Sequence, residues 1–225
     1  GGEADIAQYL QIIPGVISTG DQGGQIYIRG GSPVQNRILL DGITVFNPFH
    51  SIGLFSVFET EVIRSVEVLT GGFPAEYGGR ISAIVDIKTR EGNKTRQAGM
   101  LSVSPFMAKA ILEGPISRFS DESKGSTSYL VTAKKSFIDQ TSEKLYQYAL
   151  DEGADRLPFQ FEDYYAKIST VSGNGSFLNA FGFSFNDDVS YSNLAALDWN
   201  AFGMGSNFKL VPANSSLIIG GNVAY

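Results

Sequence analysis

At 225 residues the chain is long enough for one large domain or two small ones, and its 43% hydrophobic content is that of a folded protein, not a disordered tail. A formal net charge of −6 with no basic cluster offers a phosphate backbone no electrostatic footprint, so nucleic acid is not an expected partner. The absence of cysteine and the single histidine exclude a disulfide scaffold, a thiolate metal site and an ordinary zinc site.

Twenty-six glycines and 12% aromatics against three methionines point to tight turns and aromatic-rich strands, hence a mostly β protein. No run of about 18 apolar residues suggests a transmembrane helix, but a membrane strand needs only about 9–11 alternating residues. The first predicted element is a short amphipathic helix. In DIAQYLQIIPGV, Ile6, Tyr9, Leu10 and Ile13 share one helical face, and Pro14-Gly15 ends it. GGQIYIRGG is a brief strand between glycine pairs.

NRILLDGITVF holds two apolar runs around Asp41-Gly42, the strongest hairpin signal in the chain. It leads into FNPFH, which ends on the one histidine, His50. Leu54, Phe55, Phe58 and Val62 then stand at helix-like spacing over residues 51–63. RSVEVLT and ISAIVDIKT alternate as strands, the second with Ile81, Ala83, Val85 and Ile87 on one face. These elements predict a compact α+β domain over residues 1–92, closed by the polar hinge REGNKTRQ.

Beyond residue 97 the texture is strands without helical periodicity, and six are predicted: 99–112, 127–137, 161–171, 176–186, 199–210 and 216–225. The fourth sets Phe177, Phe181, Phe183 and Phe185 on one face, the face expected to meet lipid. Long polar connections at 138–160 and 187–198 alternate with short ones at 172–175 and 211–215, as in a transmembrane β-barrel meander. By pattern alone a soluble β-sandwich fits equally well.

Taken in order, IPGV (13–16), IYIRG (26–30), LLDGITV (39–45), VIRSVEVLTGG (62–72) and AEYGGRISAIVDIKT (75–89) resemble the plug domain of TonB-dependent outer-membrane receptors. The likeness covers nearly all of residues 5–90, and GGFPAEYGGR looks most like receptors of the Bacteroidetes type. The resemblance implies an α+β plug over residues 1–92, followed over 98–225 by the first antiparallel strands of a transmembrane β-barrel of about 22 strands. It also implies import of a scarce nutrient across the outer membrane, with the plug gating the barrel and helping to bind ligand. The expected partners are the TonB complex, outer-membrane lipid and a nutrient of unknown identity; no cofactor is expected. About six strands cannot close a barrel whose smallest bacterial form has about 8, and no TonB box precedes Asp5. The chain therefore reads as an internal fragment that does not transport alone, its coupling segment lying upstream.

Candidate site residues follow the same motifs. Arg29 in IRG matches a plug arginine that pairs with barrel glutamates in similar receptors, and Arg80 in YGGR is a second docking candidate at a spacing one residue short of the commoner pattern. Asp41 and Gly42 form the turn, and the loop behind it brings Asn47, Phe49 and His50 toward the expected ligand side. The alternative is a turn that packs Phe46 and Phe49 against the wall. No enzymatic motif is present: the adjacent acids Glu162-Asp163 and Asp187-Asp188 fall on opposite faces of a strand, and no nucleophile or phosphate signature accompanies them. A non-transporting adhesion or signalling protein of the outer membrane remains the alternative, with a carbohydrate-active enzyme a remote third.

Overall fold

The computed structural model describes residues 16–18, 26–28, 30–32, 35–50, 53, 55–70, 74, 77, 82–118, 125–145, 147, 157–191, 195–212 and 216–225. The chain divides into two compact units, Gly1–Arg90 and Glu91–Tyr225. The helix predicted over residues 6–13 lies outside the described residues.

In the first unit, β1 (Val16–Ser18) and β2 (Ile26–Ile28) form an antiparallel pair. The core is a mixed sheet in the order β4-β3-β8-β7, made of β3 (Asn36–Leu40), β4 (Ile43–Thr44), β7 (Ile63–Thr70) and β8 (Ala83–Thr89). β8 runs parallel to β3 from Asn36↔Ala83 to Leu40↔Ile87 and antiparallel to β7. Ala83, Ile84, Val85 and Ile87 are all fully buried, so β8 is covered on both faces and not on one alone.

Asp41 (φ 49°) and Gly42 (φ 95°) both take the left-handed conformation that a two-residue hairpin turn requires, and Leu40 pairs with Ile43 across them. The helix expected over 51–63 is replaced by β6 (Phe55–Ser56), paired with β5 (Phe49–His50), and by a 3-10 turn at Thr60–Val62. Gly53 at φ 102° cannot continue a right-handed helix. The helical spacing arose because a short strand and a tight turn bury Val57, Phe58 and Val62 together.

The second unit begins with a tethered polar segment. Asn93 N donates to Glu113 Oε2 at 2.9 Å, and Asn93 Oδ1 accepts from Thr95 N and Arg96 N. Gly92 lies so close to Tyr129 that a Cβ there would stand 1.9 Å from the Tyr129 carbonyl oxygen. Seven strands follow as an antiparallel meander in chain order: β9 (Ala98–Val103), β10 (Met107–Ser117), β11 (Gly125–Ser136), β12 (Phe159–Ser172), β13 (Phe177–Tyr191), β14 (Ala195–Leu210) and β15 (Ile219–Ala224). The sheet is open, with β9 and β15 at its edges.

Two boundaries differ from the sequence reading. The run 99–112 is a hairpin of two strands, turned at residues 104–106, where Ser104 Oγ accepts from Phe106 N and Met107 N. Its apolar alternation resumes past the turn, which hid the break. Residues 187–198 belong mostly to β13 and β14, leaving only 192–194 between them. Their polar residues continue the two-residue alternation, with Asp187 buried and Asp188 exposed.

The faces of this sheet are the reverse of a soluble protein's. The buried face carries Lys109, Lys134, Asp163, Lys167 and Asp187 among serines and aromatics, whereas Leu112, Val131, Ile168, Leu178, Phe202 and Met204 are exposed. Phe181, Phe183 and Phe185 belong to the buried face, which corrects the expectation that they meet lipid. Period-two alternation shows that the two faces differ and is silent on which one turns inward.

Candidate functional site

In the first unit the hairpin turn is clamped from a distance. Asp41 is buried, its Oδ1 accepts from Thr89 N at 3.0 Å and its Oδ2 from Thr89 Oγ1 at 2.6 Å, while its own N–H donates to Ile87 O at 2.9 Å. These bonds fix the base of the loop at residues 46–50. Val45 N donates to Ile38 O and Val57 N to Pro48 O, closing the loop on both sides. At its tip Phe46 is 81% exposed and Asn47 is half-buried, whereas Phe49 and His50 are buried, His50 completely. The exposed aromatic of this loop is therefore Phe46, a residue that sequence reasoning assigned only to the wall-packing alternative. Arg29 and Arg80 lie outside the described residues.

In the second unit, Lys134 Nζ stands 3.0 Å from Asp163 Oδ2 on the buried face and 5.7 Å from the Phe161 ring centroid. Cross-strand register sets Lys109 opposite Lys134, Lys134 opposite Asp163, and Asp163 opposite Phe185, which stacks on Phe183 at 4.6 Å. Burying such charges costs several kcal/mol per ion unless they are paired and hydrogen-bonded. A face built this way carries paired charge and hydroxyls where a soluble core would have mainly aliphatic packing. Sequence reasoning missed these lysines; their shared parity with Thr132, Tyr165 and Phe183 was the available signal.

One end of the sheet carries an ordered polar platform. The helix α1 (Ile138–Leu145) is tied to the β9–β10 turn by Thr141 Oγ1, which donates to Pro105 O at 2.7 Å. Ser142 Oγ accepts from Leu157 N, and Gln160 Nε2 donates to Asp139 Oδ2 at 2.7 Å. Beside it a recess of about 320 Å³ is lined by Lys135, Gln160, Glu162, Asn186, Asp188 and Asn200, among others. Lys135 pairs with Glu162, which also accepts from Tyr164 OH at 3.1 Å. Glu162 and Asp163 point to opposite faces, as do Asp187 and Asp188, so neither couple can share one reacting atom.

Residues 1–84 match the family model of the TonB-dependent receptor plug domain. Among solved structures, the chain is similar to the FrpB iron transporter from Neisseria meningitidis in its apoprotein form, with a TM-score of 0.66 at 14% identity, over 100% of this chain and 37% of that one. It is similar also to the copper transporter OprC, with a TM-score of 0.61 at 13% identity over 97% and 34% of the two chains. The complex of P. aeruginosa FpvA with a heterologous pyoverdine gives 0.58 at 12% identity over 93% and 30%. At these identities the likeness is one of fold, and the chain spans about a third of the length of those receptors. The sequence has no match among curated proteins.

With a TonB-dependent receptor plug domain matched over residues 1–84 and an antiparallel sheet with an apolar exposed face after it, this chain has the fold of the opening part of TonB-dependent receptors. Its location is the bacterial outer membrane.

Proposed function

We propose that the chain supplies the plug and the first wall strands of an outer-membrane receptor of the Bacteroidetes type that imports a scarce nutrient with energy from the TonB complex. The observation that carries this reading is the inverted polarity of the seven-stranded sheet. An exposed face of Leu112, Val131, Ile168 and Met204 over a buried face of Lys134, Asp163 and Lys167 suits lipid outside and a polar lumen inside. In a soluble sandwich the same arrangement would leave apolar area in water and charge in the core.

In this reading the end of the sheet that holds α1 and the long connection between β11 and β12 in sequence faces the cell exterior, because external loops are the longer ones. The loop at 46–50 is the ligand-proximal part of the plug: Asn47 and the exposed Phe46 meet the ligand, while buried Phe49 and His50 anchor them. Arg29 and Arg80 carry the plug-docking role that the sequence resemblance implies, and TonB engages a segment upstream of Asp5. Solved receptors of similar fold are described as iron and copper transporters, which makes metal supply the first condition to test.

The test is growth and radiolabelled-metal uptake of a deletion strain, complemented with the whole receptor or with its Phe46→Ala and Asn47→Ala forms. Uptake restored by the wild type and reduced by the loop variants is the expected result. Outer-membrane localisation with unchanged uptake of iron, copper and every other limiting nutrient tried would overturn the import reading and favour adhesion or signalling.

A further inference from the structure

Across β11, β12 and β13 the buried face carries a row of uncharged polar side chains, with Ser128 opposite Ser169 and Ser169 opposite Asn179. The two serines are 1% exposed and Asn179 is 8% exposed. Ser128 Oγ, Ser169 Oγ and Asn179 Oδ1 have no hydrogen-bond partner among the described residues. Asn179 itself is held in place, since its Nδ2 donates to Asn207 Oδ1 of β14 at 2.7 Å and its backbone carbonyl accepts from Ser206 Oγ at 2.9 Å.

A buried polar atom without a partner loses its hydration and gains nothing in return, so native proteins contain few of them. Three in adjoining positions of one row make a built site. Opposed side chains on paired strands stand about 5 Å apart at Cβ, a span that a single water bridges with a hydrogen bond at each end. An internal water takes about two to four polar partners. This row provides two hydroxyls that either donate or accept and one amide oxygen that accepts. The next row is Leu130, Lys167 and Phe181, all buried, so the lysine lies beside Ser169 and the two apolar side chains flank it.

We propose that Ser128, Ser169 and Asn179 form an internal hydration site in which ordered water links β11 to β13 across β12. The site stands on burial and register, independently of what the receptor imports. It makes this row a wet seam in the face whose other rows are held by the Lys134–Asp163 pair and the Phe183–Phe185 stack.

Radiolytic footprinting of the full-length receptor in water carrying the heavy oxygen isotope tests it, because side chains beside a bound water are oxidised although bulk solvent does not reach them. Leu130, as fully buried as Ile84 and Val85, is expected to take up heavy oxygen severalfold faster than either, and Phe181, 6% exposed, to take it up faster as well. The excess should fall to the Ile84 level in Ser128→Ala/Ser169→Val, with assembly checked by heat-modifiable gel mobility. Where that double variant does not assemble, Ser169→Ala alone should still lower the excess. Wild-type labelling of Leu130 and Phe181 no faster than that of Ile84, or an excess unchanged in an assembled variant, overturns the proposal.

Discussion

Asp41 does two jobs with one side chain: its backbone takes the left-handed turn at φ 49°, and its carboxylate holds the N–H and hydroxyl of Thr89, 48 residues away. The turn was legible in the sequence because an Asp-Gly pair between apolar runs is a local signal. The clamp was not, since nothing local names Thr89. Asp41→Ala removes both charge-assisted bonds, each worth about 1.5–3 kcal/mol, and places alanine where Asp is better tolerated. Amide exchange at Thr89 should therefore accelerate strongly in Asp41→Ala and less in Asp41→Asn; unchanged protection in both would show that the clamp does not hold the loop. Lys134 and Asp163 make the second residue-scale case. Asp163→Asn strands a buried lysine at a cost of about 3–5 kcal/mol, whereas Lys134→Met/Asp163→Leu should recover most of it. A denaturant series on the two variants measures the difference, and equal losses would mean that the pair acts independently.

At the scale of the strand, alternation was legible and orientation was not. Residues 161–171 fall inside β12, and all of 176–186 except Ser176 inside β13, but Phe183 turned out to share the buried face with Asp163 and Lys167. The row Leu112, Val131, Ala166, Gly182 and Met204 crosses the exposed face, beyond which Lys135, Glu162, Asn186 and Asn200 form a polar rim. A lysine at mid-bilayer on a lipid-facing strand costs about 2–4 kcal/mol. Met204→Ala should thus fold into lipid vesicles nearly as well as the wild type, and Met204→Lys should not. Phe183→Ala should already be costly, because it empties a buried aromatic stack, at about 3–5 kcal/mol. If Met204→Lys assembles as readily as Met204→Ala, the exposed face does not meet lipid.

For the whole molecule, the decisive feature is that the seven-stranded sheet has two edges. β9 and β15 each present unpaired N–H and C=O groups beside an apolar face. Expressed as residues 1–225 alone, the chain should associate edge to edge, aggregate or require detergent, because neither edge nor face has a partner in water. Size-exclusion chromatography with light scattering decides it: a sharp monomer peak at 24.3 kDa without detergent, with cooperative unfolding, would return the second unit to the soluble sandwich.

The sequence by itself determined the plug, through a series of local motifs in fixed order, and it determined the hairpin turn and the existence of alternating strands after residue 97. Each of these rests on neighbours a few positions apart. Tertiary structure alone decided that 99–112 folds back on itself, that His50 and Phe49 go inside while Phe46 stays out, and that lysines and aromatics share the buried side of the sheet. The reason is physical: a period of two is the same pattern whichever face is turned inward, and both faces here carry aromatic and apolar residues. Only the pairing register and what each face is packed against break that symmetry.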